Sequence, residues 1–436
     1  MINFKQKAVI NFWSLFIRFL IFSLKLAKPI LSRDLKSEIS IRKLGKKNYL
    51  RMKDTLFKYE IKDKEKVLFF CSSAGEYEQA KPLMTEYEKN GKQPIILFFS
   101  MSGINFALKR KEKNPFFLYP FDTKKNARKI LRLISPAKIY IVRQEIWPSF
   151  LYEAYKLCPI YLIDVSQNES SDGKVSRYVK RTLYPIAKKI FAVSETDKDY
   201  LTSKFFLSPE KVFVAGDTKY DSVKLRADSH KDSVESLRNE FKSIYGTREI
   251  FIAGSCWPED AKVFLPYLKE FTSSKKVRAV LAPHKVSEAD IYELEQMIKE
   301  NGLSSARFSE RNEKSEEKNL NEVDAVILDT IGQLTDMYGI ADFAFVGGAN
   351  HYQVHNVLEP AIYGIPVTFG PMYKNSHEAV GMIEQNIAAA VSNSKQFKNW
   401  LEEQIVKKEQ AAVKMKAYIE GLTGATSKIL ELTSDH

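Results

Sequence analysis

Two patterns of apolar and polar positions divide the chain. Residues 8–26, AVINFWSLFIRFLIFSLKL, are apolar at most positions, and the polar residues in and beside the run are ordered. Lys7, Asn11, Ser14, Arg18 and Lys25 fall on one stripe about 60° wide at about 100° per residue, Ser23 being the exception. From Lys66 onward, short apolar runs alternate with amphipathic stretches. Runs at 67–71, 94–99, 117–119, 138–142, 160–165, 190–193 and 212–215 predict the strands of a first sheet, with helices such as 123–134 and 194–206 between them. Runs at 249–253, 278–282, 325–328, 343–346 and 367–369 predict a second series. The polar stretch 304–321 reads as a surface excursion and 395–432 as a charged helical tail. Strand–helix alternation predicts an α/β fold of doubly wound parallel sheets, and 436 residues suit two such domains. The predicted division is a helix in 1–35, a first Rossmann-like domain over 36–222, a charged helix-forming linker at 223–246, and a second domain over 247–436 whose last helix crosses back.

Charge changes the picture at one end only. Residues 1–60 hold fourteen Lys and Arg against four Asp and Glu, which is +10 of the formal +13. A basic excess beside an apolar amphipathic helix points to an anionic membrane surface. No nucleic-acid-reading motif accompanies it, so nucleic acid is not an expected partner. A spanning helix would place Arg18 near the bilayer centre at a cost of a few kcal/mol, which a helix lying in the interface avoids. A buried core helix is the alternative. No small-residue cleavage site of a signal peptide follows. Cys71, Cys158 and Cys256 are far apart, in apolar or turn contexts, and predict neither a disulfide framework nor a zinc site.

Candidate chemistry collects where predicted strands end. The stretch 341–378 reads as a strand, Gly347-Gly348, a helix starting near His355-Asn356 and ended by Gly364, and a further strand closed by Gly370-Pro371. That is the sequence of elements that holds a nucleotide at the carboxyl edge of a parallel sheet. Asn356-x-x-Glu359 is either a capping box or a place where Glu359 accepts from ribose hydroxyls, with Asn375 and His377 further along. Gly254-Ser255 before an acidic helix start, and Pro283-His284-Lys285 after a strand, offer an anion N–H groups, a hydroxyl, a ring and a cation. Ser73-x-x-Glu76 has capping-box spacing, yet Gly75 permits close approach and Glu76 would project at the edge. A carboxylate at a helix start tends toward a lowered pKa, which burial can offset. Arg143-Gln144-Glu145-Ile146-Trp147-Pro148 sets polar side chains at another strand end. Asp217 and Asp221 flank Lys219 without a compact D-x-D loop, and Asp197-Lys198-Asp199 reads as an exposed helix start, so no metal is expected. Neither GxGxxG nor GxxxxGK[ST] occurs.

In this order the motifs resemble the 3-deoxy-D-manno-octulosonic acid (Kdo) transferases of lipopolysaccharide synthesis. The resemblance rests on the apolar N-terminus, Ser73-Ala74-Gly75-Glu76, Glu145-Ile146-Trp147-Pro148, Gly216-Asp217-Thr218-Lys219-Tyr220-Asp221, Ala253-Gly254-Ser255, and residues 342–371 with VGG…HNVLEPAIYGIPVTFGP. It implies a GT-B fold, two Rossmann-like domains facing across a cleft. It also implies metal-independent inverting transfer of Kdo from CMP-Kdo to a lipid A precursor at the cytoplasmic face of the inner membrane, with no cofactor. Glu76 would be the general base and Glu145 would position acceptor or base. Ser255, Pro283, His284, Lys285, Gly347, Gly348, His355, Asn356, Glu359 and Asn375 would lie on the CMP-Kdo side. Lys46, Lys47, Arg51 and Lys53 are candidates for the acceptor's phosphates. The chain departs from the family pattern at Arg143, where an acid is common, at His284-Lys285, where Arg-His is common, and in the loop 350–354, which lacks the usual glycines.

Overall fold

A computed structural model describes residues 2–27, 32–42, 46–59, 64–143, 145–166, 173–246, 248–274, 277–312 and 323–434. The chain forms two compact units, Met1–Ser222 with Leu422–His436, and Val223–Gly421. The stretch 223–246 expected as a linker is helical and belongs to the second unit, where Val234 and Phe241 join a buried cluster with Ile252 and Tyr338. The last helix, Ala425–Thr433, belongs to the first unit. Asp221 accepts from the N–H groups of Gly424 and Thr426 at its start, while Lys138 and Lys189 donate to the carbonyls of Thr433 and Leu432 at its end. Anion at the start and cations at the end match the helix dipole.

The first sheet contains β1 (Lys66–Cys71), β2 (Gln93–Phe98), β3 (Phe116–Leu118), β4 (Lys138–Val142), β5 (Ile160–Val165), β6 (Lys189–Ala192) and β7 (Val212–Val214), in the spatial order β3-β2-β1-β4-β5-β6-β7. The second contains β8 (Glu249–Cys256), β9 (Val277–Pro283), β10 (Ser305–Arg307), β11 (Ala325–Ile327), β12 (Phe343–Val346), β13 (Val367–Phe369) and β14 (Ala388–Ala390), in the order β10-β11-β9-β8-β12-β13-β14. Every pairing is parallel. Helices cover both faces, which is why the central strands read as unbroken apolar runs, Leu68-Phe69-Phe70 among them. β10 and β14 were not anticipated. β10 lies inside the stretch expected to be a surface excursion, and Phe308 beside it is buried.

The strand order reverses between β1 and β4 in the first sheet and between β8 and β12 at the centre of the second, where β10 also lies outside β11 at the edge. Chain leaving two neighbouring strands in opposite directions opens a crevice at their carboxyl ends, and this is where α/β folds bind ligands. The residues after β1 and β4 are 72–76 and 143–148; those after β8 and β12 are 257–260 and 347–356.

The N-terminal helix, Phe4–Leu26, is amphipathic in a different sense from the expectation. Ile10, Ser14 and Ile17 are buried against the first unit, Asn11 accepts from Lys124, and Trp13 Nε1 donates to Asp122 at 2.7 Å. Ser14 of the polar stripe is therefore turned onto protein, while Lys7, Asn11 and Arg18 stay exposed. Phe12, Leu15, Phe16, Phe19, Phe22 and Leu26 are left exposed on the remaining surface, with Lys7 and Arg18 among them. Buried Asp122 explains the docking. Its carboxylate also accepts from Tyr119 Oη at 2.7 Å and from the N–H groups of Ser149 and Phe150, at 3.0 and 2.9 Å, in the first turn of the helix Pro148–Ala154. Four donors offset the burial of one carboxylate and tie two helices to it.

Candidate active site

The first unit gathers carboxylates. Ser73 caps the helix Ala74–Lys89, its hydroxyl accepting from the Glu76 N–H at 3.4 Å. A reciprocal capping box would return the Glu76 carboxylate to the Ser73 N–H; instead Glu76 Oε2 accepts from the N–H of Ser72. Glu76 thus serves the helix start and is also 9% exposed, with Glu145 beside it. Burial raises its pKa to about 7, the Ser72 N–H and Arg143 oppose that rise, and the Glu145 charge adds to it. The tendency of a helix start to lower a carboxyl pKa is outweighed here. Glu145 is raised as well, first by burial, against the lowering effects of the Ser72 hydroxyl and the Lys180 ammonium. Trp147, just beyond, stacks on Phe99 at 3.9 Å and contacts Trp13 of the N-terminal helix edge-on at 6.2 Å.

A hydrogen-bonded chain backs these two acids. Arg143, at φ +61, donates through Nε to Gln79 at 2.7 Å, and Gln79 donates to Asp217 at 2.8 Å. Asp164, also at positive φ, is the penultimate residue of β5 and accepts from the Thr218 N–H at 2.8 Å, with the Thr218 hydroxyl on its second oxygen. Burial, and the nearby Asp217 after it, raise Asp164 to about 8, which keeps its carboxyl largely protonated at neutral pH. Gln79, Asp164 and Lys180 carry no motif and were not singled out in the sequence; they meet only because β1, β4, β5 and β7 end on one edge. Arg143, a departure from the family pattern, is the cation that links this chain to Glu76. Asp197 is buried and forms a reciprocal cap with Ser194, correcting its reading as an exposed helix start.

The second unit gathers rings. Trp257 precedes the helix Pro258–Ser273 and stacks on His284 at 4.3 Å and on His351 at 4.2 Å, both rings nearly parallel to it. His284 in turn stacks on His355 at 4.7 Å. The Trp257 indole N–H points to His355 Nε2 at 3.4 Å, and Lys285 lies 5.8 Å from the indole ring centre. Burial lowers the pKa of both His284 and His355, and neighbouring positive groups lower them further. Neutral His355 accepting at Nε2 carries its hydrogen on Nδ1. Trp257 and His351 were missed. The aromatic residue before Pro258, one turn after Gly254-Ser255, was the available signal.

The glycine turn is used by the protein itself. Gly347 N–H donates to the Gly254 carbonyl at 2.9 Å and Gly348 N–H to Asp260 at 2.7 Å. A Cβ on Gly347 would sit 2.4 Å from the Ser255 carbonyl oxygen, and one on Gly348, at φ +97, 2.3 Å from that of Gln353. Close packing against the end of β8 therefore requires Gly347, and the tight return of the following loop onto Gln353 and His355 requires Gly348. Buried Asp260 holds the turn, also accepting from Asn350 Nδ2 at 3.0 Å and from the Trp257 N–H at 2.9 Å. Ser255 is half-buried at φ +53, and Pro283 is buried at the end of β9. The helix expected from His355 comprises only Leu358–Ala361, with Gly364 at φ +77 beyond it. Asn356 and Asn375 are exposed. Glu359 is paired with Arg226 at 3.3 Å and accepts from Asn356 Nδ2 at 3.2 Å. Arg51 and Lys53 are exposed on the helix Lys46–Lys58, while the side chains of Lys46 and Lys47 lie outside the described residues.

Comparison with known proteins bears on the fold and the family. A bifunctional glycosyltransferase/methyltransferase of Fusobacterium nucleatum is 29% identical over 351 residues, 78% of this chain and 52% of that protein. The 3-deoxy-D-manno-octulosonic acid transferase of Chlamydophila psittaci is 25% identical over 302 residues, 68% of this chain and 64% of that protein. The chain thus spans between about half and just under two thirds of these two relatives. Among solved structures, the UDP-GlcNAc 2-epimerase of Neisseria meningitidis superposes with a TM-score of 0.60 at 12% identity, covering 84% of this chain and 98% of that one, a likeness of fold. The two parallel sheets are those of a GT-B protein with two Rossmann-like domains. Residues 47–222 match the family model described as 3-deoxy-D-manno-octulosonic-acid transferase (kdotransferase), and this match, alongside the curated relatives, places that stretch of the chain in the Kdo transferase family.

Proposed function

We propose that this chain transfers Kdo from CMP-Kdo to a hydroxyl of a lipid A precursor, with inversion at the anomeric carbon and Glu76 as the general base. The observation that carries the reading is the state of Glu76. A general base is most effective when its pKa lies near the working pH, and burial beside Glu145 brings this carboxyl to about 7 at the switch point of its sheet. Glu76 takes the proton of the acceptor hydroxyl as its oxygen bonds to the anomeric carbon. The bond from that carbon to the phosphate oxygen breaks with its electron pair, and CMP leaves. Glu145 keeps Glu76 basic through its charge and orients the acceptor.

The second unit holds the donor in this reading. Lys285 and the N–H groups of neutral His284 and His355 meet the phosphate, with Trp257 fixing the rings. Ser255, Pro283, Gly347 and Gly348 shape the floor, and Asn356, Glu359 and Asn375 serve the nucleoside. Glu359 needs to share itself between Arg226 and a ribose hydroxyl. The mechanism calls on no metal or cofactor.

The acceptor is a phosphorylated lipid, and the exposed apolar face of the N-terminal helix supports a monotopic position on the anionic cytoplasmic face of the inner membrane. Arg51 and Lys53, with Lys46 and Lys47, are the phosphate contacts proposed for it.

The test is to incubate the purified protein with CMP-Kdo and tetraacylated lipid A precursor and weigh the lipid. A gain of one or more Kdo masses is expected. Folded protein that adds no mass overturns the assignment, and transfer from a different nucleotide sugar replaces the donor.

A further inference from the structure

A cavity of about 440 Å³ opens on the amino edge of the first sheet, where β5 and β6 begin, opposite the edge that carries Glu76 and Glu145. β5 alone puts roughly 20 Å between the two edges, at about 3.3 Å per residue. Ile2 and Gln6 of the N-terminal segment form one wall, and Cys158, Pro159 and Ile186 form the floor. Three lysines line it, Lys156, Lys188 and Lys211, and no carboxylate does among the described residues.

The state of these cations distinguishes the cavity from an ordinary basic surface. Lys156 is paired with Glu153, which Arg128 also engages. Lys211 donates to the Pro185 and Ala187 carbonyls at 2.9 and 3.2 Å, contacts that fix its ammonium at the wall and leave its charge uncompensated by an acid. Lys188 is exposed and has no side-chain partner among the described residues. Anchored and free positive charge over an apolar floor suits an anion that carries a nonpolar body. The rim is apolar as well. Tyr155 and Leu157 are 40% and 50% exposed, and Gln6 belongs to the helix whose free face carries Phe12, Phe16 and Phe19. An apolar rim continuous with that helix is where acyl chains would leave a headgroup held by the lysines.

We propose that this cavity binds the phosphodiester headgroup of an anionic phospholipid, as a site separate from the one that performs transfer. The proposal does not depend on which sugar is transferred, and it needs only that the helix face meets lipid. Bound headgroups would hold the N-terminal end of that helix at the bilayer surface, while Trp13 and Asp122 hold it to the first unit further along.

Cys158 supplies the readout. It is half-buried in the cavity floor, whereas Cys71 and Cys256 are fully buried, so a small alkylating reagent reports on it in the full-length protein. Dihexanoyl-phosphatidylglycerol below its micelle concentration is expected to slow alkylation saturably. Dihexanoyl-phosphatidylcholine and glycerol 3-phosphate at the same concentrations are expected to have little effect. Lys188→Ala, at an exposed position that leaves the fold intact, should weaken protection about fivefold. Absence of protection overturns the site. Equal protection by phosphatidylcholine, or no change in K188A, overturns the role of the lysines, and equal protection by glycerol 3-phosphate overturns the lipid in favour of a soluble phosphate ester.

Discussion

The two switch points use opposite strategies on two similar seven-stranded parallel sheets. The first unit buries its functional groups. Glu76, Asp164 and Asp217 are all nearly inaccessible, and burial is the largest cause of the raised pKa values of Glu76, Glu145 and Asp164. The second unit leaves its groups in reach of solvent, with His284, Lys285 and His351 exposed and the two imidazoles stacked on Trp257. Burial tunes a proton affinity, whereas stacked exposed rings keep donors available without changing much when a ligand arrives. In the proposed mechanism this contrast suits proton transfer in the first unit and anion recognition in the second.

The largest expected effect breaks the first half of that contrast. Glu76→Gln should lower transfer by about 10²–10⁴-fold, the worth of a positioned base, with donor affinity little changed. The same substitution should raise stability at pH 8. The Glu76 pKa is higher folded, about 7, than the ordinary 4.5, so the folded state binds the extra proton. Its stabilising contribution is complete below the ordinary value and is lost as pH rises to 7. Gln cannot ionise and avoids that loss, a gain of about 1–3 kcal/mol readable by urea denaturation at pH 5 and 8.

Asp164 sharpens the burial argument. Protonated at neutral pH, it should tolerate Asp164→Asn at a cost under about 1 kcal/mol, while Thr218→Val removes a donor from a buried oxygen and should cost about 1–3 kcal/mol. Trp257→Ala probes the second unit, where losing the ring on which two imidazoles stack should weaken CMP binding by roughly tenfold in calorimetry, about 1.4 kcal/mol. The smallest effect belongs to Glu145→Gln, which removes one charge beside Glu76 and should lower the apparent pKa of the rate profile by less than about one unit.

Much of this arrangement was legible in the chain. Unbroken runs such as Phe69-Phe70 fixed the central strands, because only strands covered on both faces read so. Short edge strands escaped. Ser305-Ala306-Arg307 has no apolar run, and its pairing with β11 is decided by tertiary context. Glu76 was visible as a residue, yet its protonation state was not, since helix-start and burial effects oppose each other and only packing says which is larger. The same holds for Gly347-Gly348, where spacing indicated a ligand loop and the contacts reveal N–H groups already committed to Gly254 and Asp260. The half-docked N-terminal helix lay beyond periodicity too, because a stripe of Asn11 and Ser14 looks alike whether it meets water or the neighbourhood of Asp122.

The most direct measurement is the pH dependence of kcat/KM for Kdo transfer in wild type and Glu76→Gln. The account predicts an ascending limb with a midpoint near pH 7 in the wild type, and no such limb in the residual activity of the variant. A wild-type rate that stays flat from pH 5 to 8, or a variant that keeps the limb and an appreciable rate, would contradict Glu76 as the base.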